Sequence, residues 1–156
     1  MTFSPHGKIL ATVDQVDTIR LWDAIDVKLL STLVSDEHDA DAIAFSPDGS
    51  LFASGGWHDL LLWDLRRDRK LAIFQEKHSP IQTLAFSPDG RTPVSGSVDN
   101  KVQLWDTATT LHLATLTGHT ETINAVAFTP DGRTLASWSA DGTILLWDCD
   151  KIRSDR

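Results

Sequence analysis

Two sets of histidine, serine and aspartate have the residue types and spacing best suited to chemistry in this sequence. In each set the serine precedes the aspartate by four residues, and a tryptophan follows the aspartate by six. Histidine, serine and aspartate form the catalytic triad of many hydrolases. Because each set recurs together with a tryptophan on one period, it fits a buried structural network better than a catalytic site, and we predict no catalytic residue. The sets are His78, Ser95, Asp99 and Trp105, and His119, Ser137, Asp141 and Trp147.

The two sets recur because the whole sequence is repetitive. The dipeptide Trp-Asp occurs four times at intervals of 41, 42 and 42 residues, and the turn Phe-Ser/Thr-Pro-x-Gly occurs four times on the same period. Two independent markers on one period indicate a repeat architecture. The dipeptides begin at Trp22, Trp63, Trp105 and Trp147, and the turns begin at Phe3, Phe45, Phe86 and Phe128.

The segments between the turns have the pattern of strands. They are short, rich in β-branched residues and bounded by Gly, Pro, Asp or Asn. Pro-Asp-Gly suits a tight turn between antiparallel strands, because Pro presets φ and Gly accepts a positive φ. Ile144 and Leu146 share one face of their strand while Leu145 and Trp147 share the other, so such a sheet must be covered on both faces. The pattern predicts four strands per repeat, stacked radially, and no helix.

The period, Trp-Asp and Pro-Asp-Gly together resemble the WD-repeat β-propeller family over about residues 1–150. The resemblance implies an all-β fold of four-stranded antiparallel blades. The first repeat begins near the end of its inner strand and the last lacks a fourth strand, so we expect three and a half to four blades. Three arrangements stay open: part of a longer propeller, half of a two-fold dimeric ring of about eight blades, or a small ring closed by this chain alone. The predicted repeats are 1–33, 34–74, 75–116 and 117–150, followed by a polar tail at 151–156.

The resemblance also implies where the network residues lie. Each blade should have a histidine before its inner strand, a serine or threonine on its second strand, an aspartate in the next turn, and the tryptophan. Repeats three and four have all of these residues. Repeat two has Ser54 and Trp63 but a turn that is one residue shorter, and repeat one has Thr12 and Trp22 with Val16 in the aspartate position. We therefore expect a weakened network in the first two repeats.

Composition excludes several classes of protein. With 41% hydrophobic and 23% charged residues the chain has an ordinary globular composition, and no apolar run is long enough to span a membrane. The net charge of −8 argues against binding nucleic acid. The single cysteine, Cys149, excludes an internal disulfide framework and a multi-cysteine zinc site. We therefore expect a cytoplasmic protein with no cofactor and no bound metal.

Charge distribution points to a binding face. In the resembled family, the loops that enter each inner strand and those that join the second and third strands share one face, which we call the top face. It carries eleven acidic and two basic residues, and such a face favours basic partners. We therefore predict a non-catalytic scaffold that binds a basic protein or peptide. The predicted contact residues are Trp57, Asp36, Glu37, Asp39 and Asp41.

Two other functions stay open at this point. Asp41, Gln82 and Asn124 align near the starts of the inner strands, where a propeller enzyme or ion-binding module would use its central channel. A single carboxylate lacks the acid–base partner of a hydrolase. The chain can also be read as a regulatory or sensor segment of a larger multidomain protein.

Overall fold

The computed structural model describes residues 1–14, 18–34, 40–57, 59–75 and 79–154. In these residues the strands pair antiparallel in four separate sheets, each made of strands consecutive in the sequence. Three sheets have four strands and the last has three. This confirms the predicted all-β architecture of four-stranded propeller blades, and we call the sheets blades one to four.

The described strands are distributed over the four blades in sequence order. Blade one contains β1 (Thr2–Phe3), β2 (Ile9–Val13), β3 (Thr18–Asp23) and β4 (Lys28–Val34). Blade two contains β5 (Ala42–Phe45), β6 (Leu51–Gly55), β7 (Asp59–Asp64) and β8 (Arg69–Gln75). Blade three contains β9 (Ile81–Phe86), β10 (Pro93–Ser97), β11 (Lys101–Trp105) and β12 (His112–Thr117). Blade four contains β13 (Ile123–Phe128), β14 (Thr134–Ser139) and β15 (Ile144–Asp148).

The turns that follow each inner strand close the first hairpin of each blade, with Pro-Asp-Gly in blades two to four and Pro-His-Gly in blade one. In blade two, Gly49 adopts a φ of 69° and its N–H donates to the Ser46 carbonyl. The Asp48 carboxylate accepts hydrogen bonds from the Ser46 hydroxyl and from the Ser50 amide and hydroxyl. These bonds, the Ser46 hydroxyl first, lower the pKa of Asp48 to about 2. The ionised aspartate therefore holds the turn that aligns β5 with β6.

The aspartate of each Trp-Asp pair organises the turn that follows it. Asp23, Asp64 and Asp106 each accept the backbone N–H groups two and three residues ahead. Asp148 does the same for Asp150 and Lys151. The Trp-Asp aspartate is therefore a turn residue in all four repeats.

The hydrophobic core lies between blades, as the two-sided apolar pattern predicts. Along β7, Leu61 and Trp63 pack in a cluster with blade one, whereas Leu60 and Leu62 pack in a cluster with Trp105 of blade three. A third cluster joins blades three and four. The inner strands β1, β5, β9 and β13 lie side by side in that order. In the described residues the four sheets form an arc and do not close into a ring.

The expectation of no helix is wrong at one place. Residues Cys149–Ser154 form a short helix, α1, which spans the end of the predicted fourth repeat (117–150) and the beginning of the predicted polar tail (151–156). The Asp148 carboxylate accepts its first N–H groups, Asp150 lies in its first turn, and Lys151 and Arg153 lie in its last, all favourable to the helix dipole. Cys149 and Ile152 pack into the cluster between blades three and four, so burial helps to hold so short a helix.

Candidate functional site

Blade four contains a continuous hydrogen-bonded network from its top turn to its tryptophan. His119 Nδ1 lies 3.0 Å from Asp141 Oδ2, and His119 Nε2 lies 2.8 Å from Ser137 Oγ. The Trp147 indole N–H donates to the same hydroxyl over 2.8 Å. Strand β14 carries Ser137, strand β15 carries Trp147, and Asp141 lies in the turn between them. The hairpin and the preceding loop therefore meet through four side chains.

The aspartate of this network is held ionised by its donors. Asp141 accepts hydrogen bonds from the Thr143 hydroxyl, the Thr120 amide and the Thr143 amide. These bonds, the Thr143 hydroxyl first, hold the pKa of Asp141 well below its usual range. The Thr143 hydroxyl also lies 3.1 Å from His119 Nδ1. Thr143 is thus a fifth member of the network that the sequence analysis did not identify.

The network has the order of a catalytic triad but lacks access to a substrate. Ser137 is 1% exposed, and its hydroxyl already accepts the Trp147 indole proton. The His119 side chain is 1% exposed as well. A nucleophile must reach a substrate carbonyl, which this hydroxyl cannot do while it is buried between the histidine and the indole. The geometry supports a structural network.

In blade three the described hydrogen bonds of the aspartate have other donors. Asp99 accepts hydrogen bonds from the Lys101 ammonium group over 2.7 Å and from the Ser97 hydroxyl. Partial burial works to raise the pKa of Asp99, but the bonds from Lys101 and Ser97 outweigh it and lower the pKa. Trp105 is buried, yet its Nε1 has no hydrogen-bond partner among the described residues. Ser95 is fully buried, and the predicted His78 lies outside the described residues.

In blades one and two only the bond from tryptophan to the second strand is described. The Trp22 indole donates to Thr12 Oγ1 over 2.9 Å, and the Trp63 indole donates to Ser54 Oγ over 3.1 Å. Val16, which takes the aspartate position in repeat one, lies outside the described residues. Blade three is thus the one blade, within the described part of the chain, whose tryptophan lacks this bond.

The predicted binding residues divide between described and undescribed parts of the top face. Trp57 lies in the turn between β6 and β7 and is 53% exposed, and the exposed Asp41 directly precedes β5. Because Ala42 pairs with Gly55, both residues lie at the same end of blade two. Val98, which the structure shows exposed, takes the Trp57 position in the next blade. Asp36, Glu37 and Asp39 lie outside the described residues.

The described structure does not add support for the alternative site in the central channel. Asp41, Gln82 and Asn124 are all exposed. Across the described ranges, no group of three or more His, Cys, Asp and Glu side chains is placed to hold a metal ion.

None of the helical residues described in the structure forms a segment long and apolar enough to cross a membrane.

Comparisons with known proteins agree with the repeat. The family profile described as WD domain, G-beta repeat matches residues 28–64, 69–106 and 111–148. The guanine nucleotide-binding protein subunit beta of Schizosaccharomyces pombe is 32% identical over 62 residues, which are 39% of this chain and 20% of that protein. An uncharacterized WD repeat-containing protein of Synechocystis is 36% identical over 56 residues, which are 35% of this chain and 16% of that protein. The matched segments thus span a fifth or less of either relative. Because the profile matches cover most of its length, the chain belongs to the WD40 repeat family.

Proposed function

We propose that this chain is a non-catalytic scaffold that binds a basic protein or peptide segment on its top face. Membership of the WD40 family supports a protein-interaction scaffold in general terms. The observation that carries the finer proposal is Trp57, a large aromatic side chain that is half exposed at the end of blade two that also carries Asp41. Exposed aromatic residues surrounded by polar ones are typical anchors of protein interfaces.

The electrostatics of the described top face support a basic partner. Asp41 and Glu121 are exposed there, and the Lys101 ammonium group is already paired with Asp99. A basic segment would meet an excess of carboxylates, which speeds encounter most at low ionic strength. We propose a protein rather than nucleic acid because the net charge of −8 repels phosphate.

Two narrower points belong to the same proposal. We place the protein in the cytoplasm because its single cysteine is buried and takes part in no disulfide. We also propose that a second copy of the chain completes a ring of about eight blades.

The top face can be tested with a fluorescent lysine-rich peptide, whose binding is followed by anisotropy at low and physiological salt. Trp57→Ala should weaken binding by about 2 kcal/mol, as truncation of an aromatic anchor does. Asp41→Lys should weaken it by about 1 kcal/mol or less, with the difference shrinking as salt is added. The matched controls are Leu111→Ala and Asp26→Lys, exposed residues in the turns at the opposite end of the blades. Equal binding by wild type and Trp57→Ala would exclude this face.

A further inference from the structure

Each internal junction between blades is built in the same way. The Trp face of one blade packs on the opposite face of the blade before it: Trp63 and Leu61 of blade two lie in one cluster with Ile19 and Leu21 of blade one. Trp105 of blade three likewise packs against blade two. At these junctions the face that carries the tryptophan therefore meets the face of the preceding blade that does not carry it.

The turns between the first and second strands of each blade lie at the end away from the top face. Their contacts also run from each blade to the blade before it. A Cβ built on Gly49 would lie 3.8 Å from the Pro5 ring, one on Gly90 would lie 3.7 Å from Pro47, and one on Gly132 would lie 3.3 Å from Pro88. Each glycine turn thus contacts the proline of the preceding blade. At Gly7 a Cβ would meet nothing within 4 Å. Gly7 of blade one therefore occupies the same turn position but has no proline packed against it.

The two faces at the ends of the arc are the same two kinds of face that meet at each internal junction. Blade one exposes its tryptophan face, and blade four exposes the opposite face. Blade one presents an apolar cavity of about 370 Å³ lined by Phe3, Leu10, Thr12, Trp22 and Val27, which we call the Trp22 face. Blade four presents side chains that project into solvent, with Ile144 at 66%, Leu146 at 71% and Trp138 at 51% exposure, which we call the Leu146 face. Ile144 pairs with Trp138 and Leu146 with Ala136 across β14 and β15, so the three exposed side chains share one face.

We propose that the Trp22 face of one copy docks on the Leu146 face of a second copy, and that the reciprocal contact closes a two-fold ring of eight blades. This rests on the homodimer part of the proposed function and assigns its surface. The occupant follows from continuity with the internal junctions, because one chain exposes both complementary halves and two copies satisfy both at once. Eight blades lie within the range of known propellers. Apolar patches of this kind mark interaction sites when they are exposed.

The test is the molar mass of residues 1–156, measured by size exclusion with light scattering over a concentration series. The expected species has twice the chain mass of 17.2 kDa. Leu146→Asp and Val27→Asp should each convert it to a monomer. Both side chains are exposed, and the turn position of Val27 holds Asp68 in blade two at a similar positive φ, so each variant is compatible with the fold. Leu30→Asp, an equally apolar exposed change on the outer strand β4, should leave the dimer intact.

Three results would overturn the assignment. A wild-type monomer at all concentrations would remove both the dimer and its surface. A dimer that persists in Leu146→Asp and Val27→Asp would keep the homodimer but place its interface elsewhere. Growth into species larger than a dimer would show an open head-to-tail chain of contacts instead of a closed ring. None of these results bears on peptide binding at Trp57, which is measured separately.

Discussion

Blades three and four carry the same four residue types at the same spacing, yet only blade four has a described network from the top turn to the indole. In blade four Asp141 meets His119, and Trp147 donates to Ser137. In blade three Asp99 meets Lys101, and the Trp105 indole N–H is buried without a described partner. Within the described residues, the two blades therefore differ in the partner of the aspartate and in the hydrogen bond of the indole.

One described difference between the two turns is the second residue after the aspartate. Thr143 in blade four is short, and its hydroxyl bonds Asp141 and lies within reach of His119. Lys101 in blade three is long and charged, and its ammonium group takes an oxygen of Asp99. A charged donor offers the stronger hydrogen bond, so it competes well for a partly exposed carboxylate. The residue at this position thus supplies a donor to the aspartate in both blades.

The largest expected difference between the two blades comes from removing the serine. Ser137→Ala would leave both the Trp147 indole and His119 Nε2 without their acceptor or donor. Each buried group left unpaired costs about 1–3 kcal/mol, so for two groups we expect a loss of about 2–6 kcal/mol in the free energy of unfolding. Ser95→Ala should cost about 1 kcal/mol, because the Trp105 indole does not donate to Ser95.

Urea unfolding followed by tryptophan fluorescence measures both values, with the exposed Ser154→Ala as the control. Equal losses for Ser137→Ala and Ser95→Ala would show that blade three has a working network in solution.

A smaller and sharper test replaces only the indole N–H. Benzothienylalanine has the shape of tryptophan with sulfur in place of N–H, so it removes the donor and keeps the packing. At position 147 it should lower the free energy of unfolding by about 1 kcal/mol, the ordinary worth of one hydrogen bond. At position 105 it should be neutral or stabilising, because the donor removed there has no described partner. Incorporation by suppressor transfer RNA and thermal melting compare the two sites, and a loss at 105 equal to that at 147 would contradict the difference.

The sequence predicted the fold well because the fold is written in short-range patterns. The positive φ of Gly49, Gly90 and Gly132 and the alternation along β7 follow directly from turn chemistry and period-two burial. Helix α1 was missed because a six-residue segment has no periodicity to detect, and its stability depends on packing of Ile152 and on the Asp148 cap. Its capping aspartate was visible in the sequence as part of the Trp-Asp dipeptide.

The candidate sites were only partly predictable. Spacing identified Ser137, Asp141 and Trp147 as equivalents of Ser95, Asp99 and Trp105, but equivalence in spacing does not determine which donor a carboxylate accepts. The side chains at positions 101 and 143 each donate to the aspartate of their blade, and they differ between the two repeats. The apolar cavity beside Trp22 was equally hidden, because its lining comes from three strands and a turn that no single sequence motif joins.

Exchanging the two turn residues tests the cause of the difference. Thr143→Lys should lower the free energy of unfolding by about 1 kcal/mol. The substitution removes the Thr143 hydroxyl, and the new ammonium group would draw Asp141 away from His119. Lys101→Thr should change stability by less than about 0.5 kcal/mol, because the ion pair it removes is partly exposed and salt-screened. Chemical denaturation at two salt concentrations separates these effects. A stabilising Thr143→Lys would show that the lysine is the better partner in either blade.

The smallest expected effect is on how the free energy of unfolding falls at acidic pH, which should differ between Asp141 and Asp99. The pKa of Asp141 is held well below the ordinary aspartate value by the Thr143 hydroxyl and the Thr120 amide, whereas burial opposes the lowering at Asp99. A lowered folded-state pKa stabilises the fold above the unfolded value near pH 4, and this contribution is lost as the pH falls through the folded value. The stability gap between wild type and Asp141→Asn should therefore be constant from neutral pH to about pH 4 and close steadily below it. The gap for Asp99→Asn should be smaller and close less, because burial is the largest influence on the pKa of Asp99 and opposes the hydrogen bonds that lower it. Urea midpoints measured along a pH series, with Asp26→Asn as the exposed control, would contradict this if the two gaps closed in parallel.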